Sequence, residues 1–205
     1  MKFARALPWI LATAVLGALA GAIAARMLAQ KPITLHSGTW LPQPRALAGF
    51  ELTDVDGRPF GNAGLQGHPS LLFLGYSYCP DVCPATLAVV RGTLKQHPVA
   101  GLRFFFISVD PQRDTPEVLK QYLGGFGSDF AGLSSDRGPP AALLRSLAAA
   151  DPEREMAADG SYRLAHSATL YLLNARGELV AVFSPPLSAP ALSADLRSIS
   201  QAAVL

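Results

Sequence analysis

Cys79 and Cys83 are the only cysteines in 205 residues, and they stand four apart in Tyr78-Cys79-Pro80-Asp81-Val82-Cys83-Pro84, directly after the apolar run Leu71 to Gly75. A thiol pair in a proline-flanked loop at the end of a buried strand restricts both fold and chemistry. A chain that places both cysteines in one loop is not stapled by a disulfide framework. The pair can hold a soft metal ion, cycle between dithiol and disulfide, or do both. With Cys79 after the strand and Cys83 at a helix start, both sulfurs come near backbone N–H groups and a helix dipole, a setting that lowers a thiol's pKa and favours thiolate. Two buried cysteines acting only as small hydrophobes fit this loop poorly.

The rest of the chain alternates strands and helices. Phe50-Glu51-Leu52-Thr53-Asp54 alternates apolar and polar residues before the turn Asp56-Gly57, the pattern of a hairpin. Ser70 to Tyr76 and Leu102 to Val109 are short apolar runs suited to a sheet interior. Pro84 suits the first turn of the helix that follows the cysteine loop and runs to Gln96. Asp114-Thr115-Pro116-Glu117 opens a second helix, with Asp114 as its cap. A third helix is expected over 140–150, strands over 168–173 and 179–183, and a last helix over 189–203. Strands alternating with helices and ending in a hairpin argue an α/β sandwich with a central β-sheet.

Ahead of this lies a twenty-residue stretch without a charge, Ala6 to Ala25. At ~1.5 Å per residue it spans roughly 30 Å, the hydrocarbon thickness of a bilayer. A cleaved signal peptide is the competing reading, but its apolar region runs only about 7–15 residues. The expected organisation is a single N-terminal transmembrane helix in a membrane anchor, 1–31, a proline-containing tether, 32–48, and a domain, 49–205. The short N-terminal tail favours tail inside and domain outside. The net charge of +2 belongs to the anchor's ends: removing Lys2, Arg5, Arg26 and Lys31 from the 17 basic residues leaves 13 against 15 acidic ones, or −2. The domain therefore presents no basic field for nucleic acid.

Two thiolates leave most metal ions short of donors, and imidazole is the usual complement. His36 falls in the tether, His68 beside Pro69 at a turn and His97 at a helix end, and these three read as surface residues. His166 stands just before the strand Ala168 to Leu173, whose start can lie near the cysteine loop. Two sulfurs and one imidazole suit Cu(I) and tolerate Cu(II). Structural zinc takes four protein ligands, and no second cysteine pair exists.

The run Leu74-Gly75-Tyr76-Ser77-Tyr78-Cys79-Pro80-Asp81-Val82-Cys83-Pro84 resembles the signature of the SCO/SenC family of cytochrome c oxidase copper-assembly proteins. So do Ser108-Val109-Asp110-Pro111-Gln112-Arg113-Asp114-Thr115-Pro116-Glu117 and the pair His166-Ser167 before the terminal hairpin. The resemblance runs from about Phe50 to Phe183. It implies a thioredoxin-like fold and copper held by Cys79, Cys83 and His166. It further implies delivery of copper to the copper A centre of oxidase subunit II, or reduction of that subunit's cysteines, by a metallochaperone that performs no turnover. Other copper chaperones and thioredoxin-like reductants are further implied partners. Asp110 and Asp114 match the second motif, with roles expected to be structural or near the site. Tyr78 departs from the histidine that many members carry before the first cysteine, and 134–163 is idiosyncratic. Without an Arg- and Ser-rich transit peptide, the expected location is a bacterial inner membrane with the soluble domain facing the periplasm. The alternatives on the same fold are a thiol–disulfide oxidoreductase using Cys79 and Cys83, disfavoured by the three-residue spacer, and a copper- or redox-sensing module.

Overall fold

Ser70–Gly75 and Arg103–Ser108, two short apolar runs, pair in parallel at the centre of the sheet, from Ser70 opposite Arg103 to Gly75 opposite Ser108. The computed structural model describes residues 33–202 and 205, with positions 15, 17, 18 and 21. The expected transmembrane helix lies outside the described residues apart from those four positions. Among the described residues no helix is long and apolar enough to cross a membrane.

The strands in chain order are Gly38–Ala46 (β1), Glu51–Asp54 (β2), Pro59–Gly61 (β3), Ser70–Gly75 (β4), Arg103–Ser108 (β5), Phe130–Ser134 (β6), Glu153–Met156 (β7), Tyr162–Ala165 (β8), Leu170–Leu173 (β9) and Glu178–Phe183 (β10). The helices are Val82–Gln96 (α1), Pro116–Gly124 (α2), Ala141–Leu147 (α3) and Ala189–Gln201 (α4). Eight strands form one mixed sheet in the order β1-β10-β9-β4-β5-β6-β2-β3, and β7 and β8 form a separate two-stranded sheet. β4, β5 and β6 run parallel and the remaining ladders are antiparallel. Phe73, Phe104, Phe106 and Phe183 are the largest fully buried side chains of the core. This is the α/β sandwich with a central sheet that the strand–helix alternation predicts.

Register decides what meets at the functional end. β9 runs antiparallel to β4, with Leu170 opposite Phe73, so the segment before β9 lies beside the chain that leaves β4. The parallel β5 ends alongside, where Val109 N donates to Gly75 O at 2.8 Å. Three connections thus converge at one sheet end: the cysteine loop, the turn after β5 and the segment carrying His166. Crevices at the carboxyl ends of parallel strands are where α/β sheets bind ligands.

One expectation is corrected. Residues 38–46, read as part of the tether, form the edge strand β1, paired with β10. Pro42 and Pro44 obscured it, since proline removes a ladder donor and argues against a strand. They are tolerated here because β1 is an edge, and the register is interrupted between Trp40 and Arg45, which brackets both. What secures the strand's start is remote in sequence. The fully buried Asp195 of α4 accepts from His36 N at 2.6 Å, Ser37 N at 2.8 Å and Ser37 Oγ at 2.8 Å.

Asp195→Ala leaves those donors without their acceptor and should lower stability by about 1–3 kcal/mol in urea unfolding, with faster amide exchange confined to β1. An unchanged midpoint would show that Asp195 does not hold β1.

Candidate metal centre

β4 delivers the chain to Gly75, and the backbone then turns back, Cys79 N donating to Tyr76 O at 3.2 Å. α1 starts at Val82, which puts Cys83 in its first turn with Pro84 next to it. Cys83 points inward and is 0% exposed, while Cys79 is 8% exposed. Its sulfur can reach that depth because residue 75 has no side chain. A Cβ built there would lie 3.0 Å from Cys83 Sγ and 2.9 Å from the Phe106 ring. Cys83 N donates to Cys79 Sγ at 3.4 Å, so the helix start does face the first sulfur. Both cysteines are free thiols.

His166, one residue past β8, is brought in as its position before β9 predicted. Its Nε2 is 3.2 Å from Cys83 Sγ, and the ligand atoms of Cys79, Cys83 and His166 all lie within 4.8 Å of one another. The ring stands edge-on to Tyr76, with centroids 5.4 Å apart, and to Phe73, at 6.1 Å. His166 Nδ1 lies 3.3 Å from Ser167 O. A proton placed on Nδ1 is donated to that carbonyl and leaves the Nε2 lone pair aimed at the sulfurs, the arrangement a metal-binding imidazole needs. Burial pushes the His166 pKa down, against the pull of the Ser167 and Leu74 backbone groups, so the ring is held neutral and ready to donate.

The other histidines stay apart from this cluster. His68, expected at the surface, is buried instead, with Nδ1 at 3.1 Å from Ser70 Oγ and its ring near Phe105. His36 is exposed and His97 half-buried.

The expected thiolate is corrected for Cys83. Burial pushes this thiol well above its ordinary range, and the neighbouring Cys79 and Asp114 add to the rise. Loss of hydration outweighs the helix dipole because the sulfur sits beneath the helix start, walled by Phe106 and Gly75. Burial thus favours the thiol form of Cys83, and a cation held at the site would offset that penalty.

A polar frame surrounds the three donors. Asp114 does not cap α2; Thr115 does, its Oγ1 accepting from Val118 N at 3.3 Å. The Asp114 carboxylate accepts instead from Ser77 N at 3.1 Å, Ser77 Oγ at 2.5 Å and Ser108 Oγ at 2.6 Å, tying the cysteine loop to the end of β5. Burial pushes its pKa up despite these donors. Asp110 pairs with Arg113 Nε and accepts from Tyr162 Oη at 2.8 Å. Tyr76 Oη accepts from Leu164 N at 3.3 Å, so one side chain both flanks His166 and holds the strand before it. The sequence motif marks Asp110 and Asp114 as structural or near the site but gives no role to Arg113, Tyr76 or Tyr162. Arg113 carried a signal, standing three residues from Asp110 within a quoted motif; Tyr162 carried none.

Comparison with known proteins finds relatives over most of the chain. A SCO2-like protein of Rickettsia felis is 32% identical over 161 residues, covering 75% of this chain and 77% of that protein. The structure of Bradyrhizobium japonicum ScoI with copper bound is 34% identical, with a TM-score of 0.66 over 74% of this chain and 98% of that one. Arabidopsis thaliana ScoI with copper bound is 25% identical, with a TM-score of 0.69 over 75% of this chain and 98% of that one. The thioredoxin-like expectation is met in these neighbours. The SCO1/SenC family model matches residues 41–201. On this match the chain belongs to the SCO1/SenC family.

Proposed function

We propose that this chain is a copper chaperone that carries copper as cargo between Cys79 Sγ, Cys83 Sγ and His166 Nε2. One observation carries the reading: three soft or borderline donors, two from the cysteine loop and one from a segment more than eighty residues on, converge within 4.8 Å. Two sulfurs and a neutral imidazole satisfy Cu(I) without a fourth protein ligand. The ScoI relatives solved with copper bound support copper as the ion. The client is the copper A centre of cytochrome c oxidase subunit II, by delivery of copper or preparation of its cysteines, as family membership implies. Residues 6–25 anchor the chain in a bacterial inner membrane, with the domain on the periplasmic side; the support is the uncharged twenty-residue stretch.

The burial of Cys83 bears on the alternative. A dithiol exchange enzyme needs an accessible attacking thiolate; Cys83 is fully enclosed, which leaves Cys79, itself largely buried, as the one sulfur placed to attack.

His166→Ala should weaken Cu(I) binding by more than the ~10–100-fold that loss of a ligand's supporting partner costs, read by chelator competition, with reaction toward disulfides largely kept. A reduced protein whose copper affinity did not depend on His166 would exclude the three-donor site. Gly75→Ala should also weaken copper binding, because the new methyl displaces Cys83 Sγ, and overpacking should cost about 1–3 kcal/mol of stability. Wild-type affinity in that variant would show that the close approach is not needed.

The Cys83 shift sets two pH responses. Copper uptake displaces its proton, so affinity should rise with pH through neutrality, about tenfold per unit for each proton released. In the unfolded chain the thiol titrates near 9.0, and in the fold it titrates higher. Its contribution to the stability of the copper-free protein is therefore complete below about pH 9 and is lost as pH rises from there toward the folded value. Urea midpoints across alkaline pH, compared with Cys83→Ser, check the sign; a slope equal in both proteins would refute it.

A further inference from the structure

Two of the three donors, Cys79 and Cys83, are fixed by the central sheet and α1, whereas the third follows a hairpin that the main sheet does not hold. Among the described residues β7 and β8 pair only with each other, from Glu153 opposite Ala165 to Met156 opposite Tyr162. A lone two-stranded hairpin is marginally stable by itself. His166 comes immediately after its last residue, Ala165, and four residues before Leu170 of β9, so the docking of the hairpin fixes one side of the segment that carries the imidazole and β9 fixes the other.

The docking contacts converge on one guanidinium. Arg113 Nε pairs with Asp110 Oδ2, and Tyr162 Oη donates to Asp110 Oδ1 at 2.8 Å. Arg113 Nη1 then donates to the backbone carbonyl of Tyr162 at 3.1 Å, closing a three-residue ring of contacts. Arg113 Cζ lies 3.8 Å from the Tyr162 ring centroid and 5.1 Å from that of Tyr78, the residue before Cys79. One side chain from the turn after β5 therefore touches both the cysteine loop and the strand leading to His166. Its ring stacking and planar fork make it a contact that lysine cannot reproduce. Outside this ring of contacts the hairpin is held by Leu164 N to Tyr76 Oη, Arg154 Nη2 to Gln112 Oε1 at 3.1 Å and the buried Leu164 side chain.

We propose that Arg113 is a positioning residue that latches the β7–β8 hairpin, and with it His166, over the cysteine loop. Closed, the latch keeps three donors on the copper; open, it lets the imidazole leave and turns the site into a two-sulfur one that yields copper to a competing ligand. The proposal rests on the copper reading above. A contact that only biases a closed population acts on affinity through the fraction closed, so Arg113 works through His166 and not by itself.

The test is a double-mutant cycle on the full chain in detergent micelles, with Cu(I) affinity read against a competing chelator. Arg113→Ala should weaken binding about tenfold, and Arg113→Lys by less, in the wild-type background. In the His166→Ala background, Arg113→Ala should change it by no more than about twofold. Equal losses in both backgrounds would overturn the proposal, because a general weakening of the fold does not depend on His166. In the copper-free protein, Arg113→Ala should speed amide exchange across 153–165 and leave β4 and β5 unchanged; unchanged exchange in the hairpin also overturns it. If His166→Ala binds copper as tightly as wild type, the ligand assignment fails, and the exchange data still decide the latch. Tyr162→Phe, which removes only the hydroxyl bonded to Asp110, should raise hairpin exchange in the same direction and serves if Arg113→Ala does not fold; no rise in it counts against the latch.

Discussion

β4 pairs parallel with β5 on one side and antiparallel with β9 on the other, and the chemistry of this domain depends on those two ladders. The parallel ladder ends with Gly75 opposite Ser108, which sets the cysteine loop beside the turn that carries Asp110, Arg113 and Asp114. The antiparallel ladder sets the start of β9 beside the end of β4, which returns the chain before Leu170 to the same place. A slip of one residue in either ladder would turn alternate side chains to the opposite face. Phe73 and Phe106, paired across the parallel ladder, are fully buried and meet edge to face with ring centroids 5.8 Å apart.

The site combines rigidity with one movable part. Cys83 is enclosed in the core, and Asp114 fixes the loop through the Ser77 backbone, so the sulfurs are held by packing and by hydrogen bonds that cannot relax separately. His166 sits on the outer side, held by a hairpin that relies on side-chain contacts. Elements with few buried apolar contacts occupy the low end of a protein's local stability. For a cargo that must be both kept and surrendered, unequal anchoring of the donors is a physically coherent arrangement.

Electrostatics at the site are governed by desolvation more than by proximity of partial charge. The dipole of α1 points the right way for thiolate, yet Cys83 titrates high because its sulfur has lost its hydration. Asp114 behaves similarly: three hydrogen-bond donors surround it and its pKa is still raised. A cation entering between the sulfurs would reverse the balance for Cys83, coupling metal uptake to proton release.

The sequence by itself determined the strand–helix alternation and the cysteine loop at the end of β4, and it singled out His166 as the histidine to test, with the ligand set itself implied by the family resemblance. Those follow from local pattern: continuous apolar runs, a proline in the first turn of α1, and a histidine one segment ahead of a strand. β1, β6, β7 and β8 were not legible. β1 carries two prolines that only an edge position tolerates, and β7, Glu-Arg-Glu-Met with every residue exposed, shows no alternation to read. Asp114 looked like a helix cap because its neighbours fit that role, and only folding offered it Ser77 and Ser108 as better donors. The protonation of Cys83, the three-donor distances and the contacts of Arg113 with Asp110, Tyr78 and Tyr162 belong to tertiary structure alone. Apart from the Arg113–Asp110 pair, whose partners stand three residues apart, they depend on burial and on approach between segments tens of residues apart, quantities that no window of sequence contains.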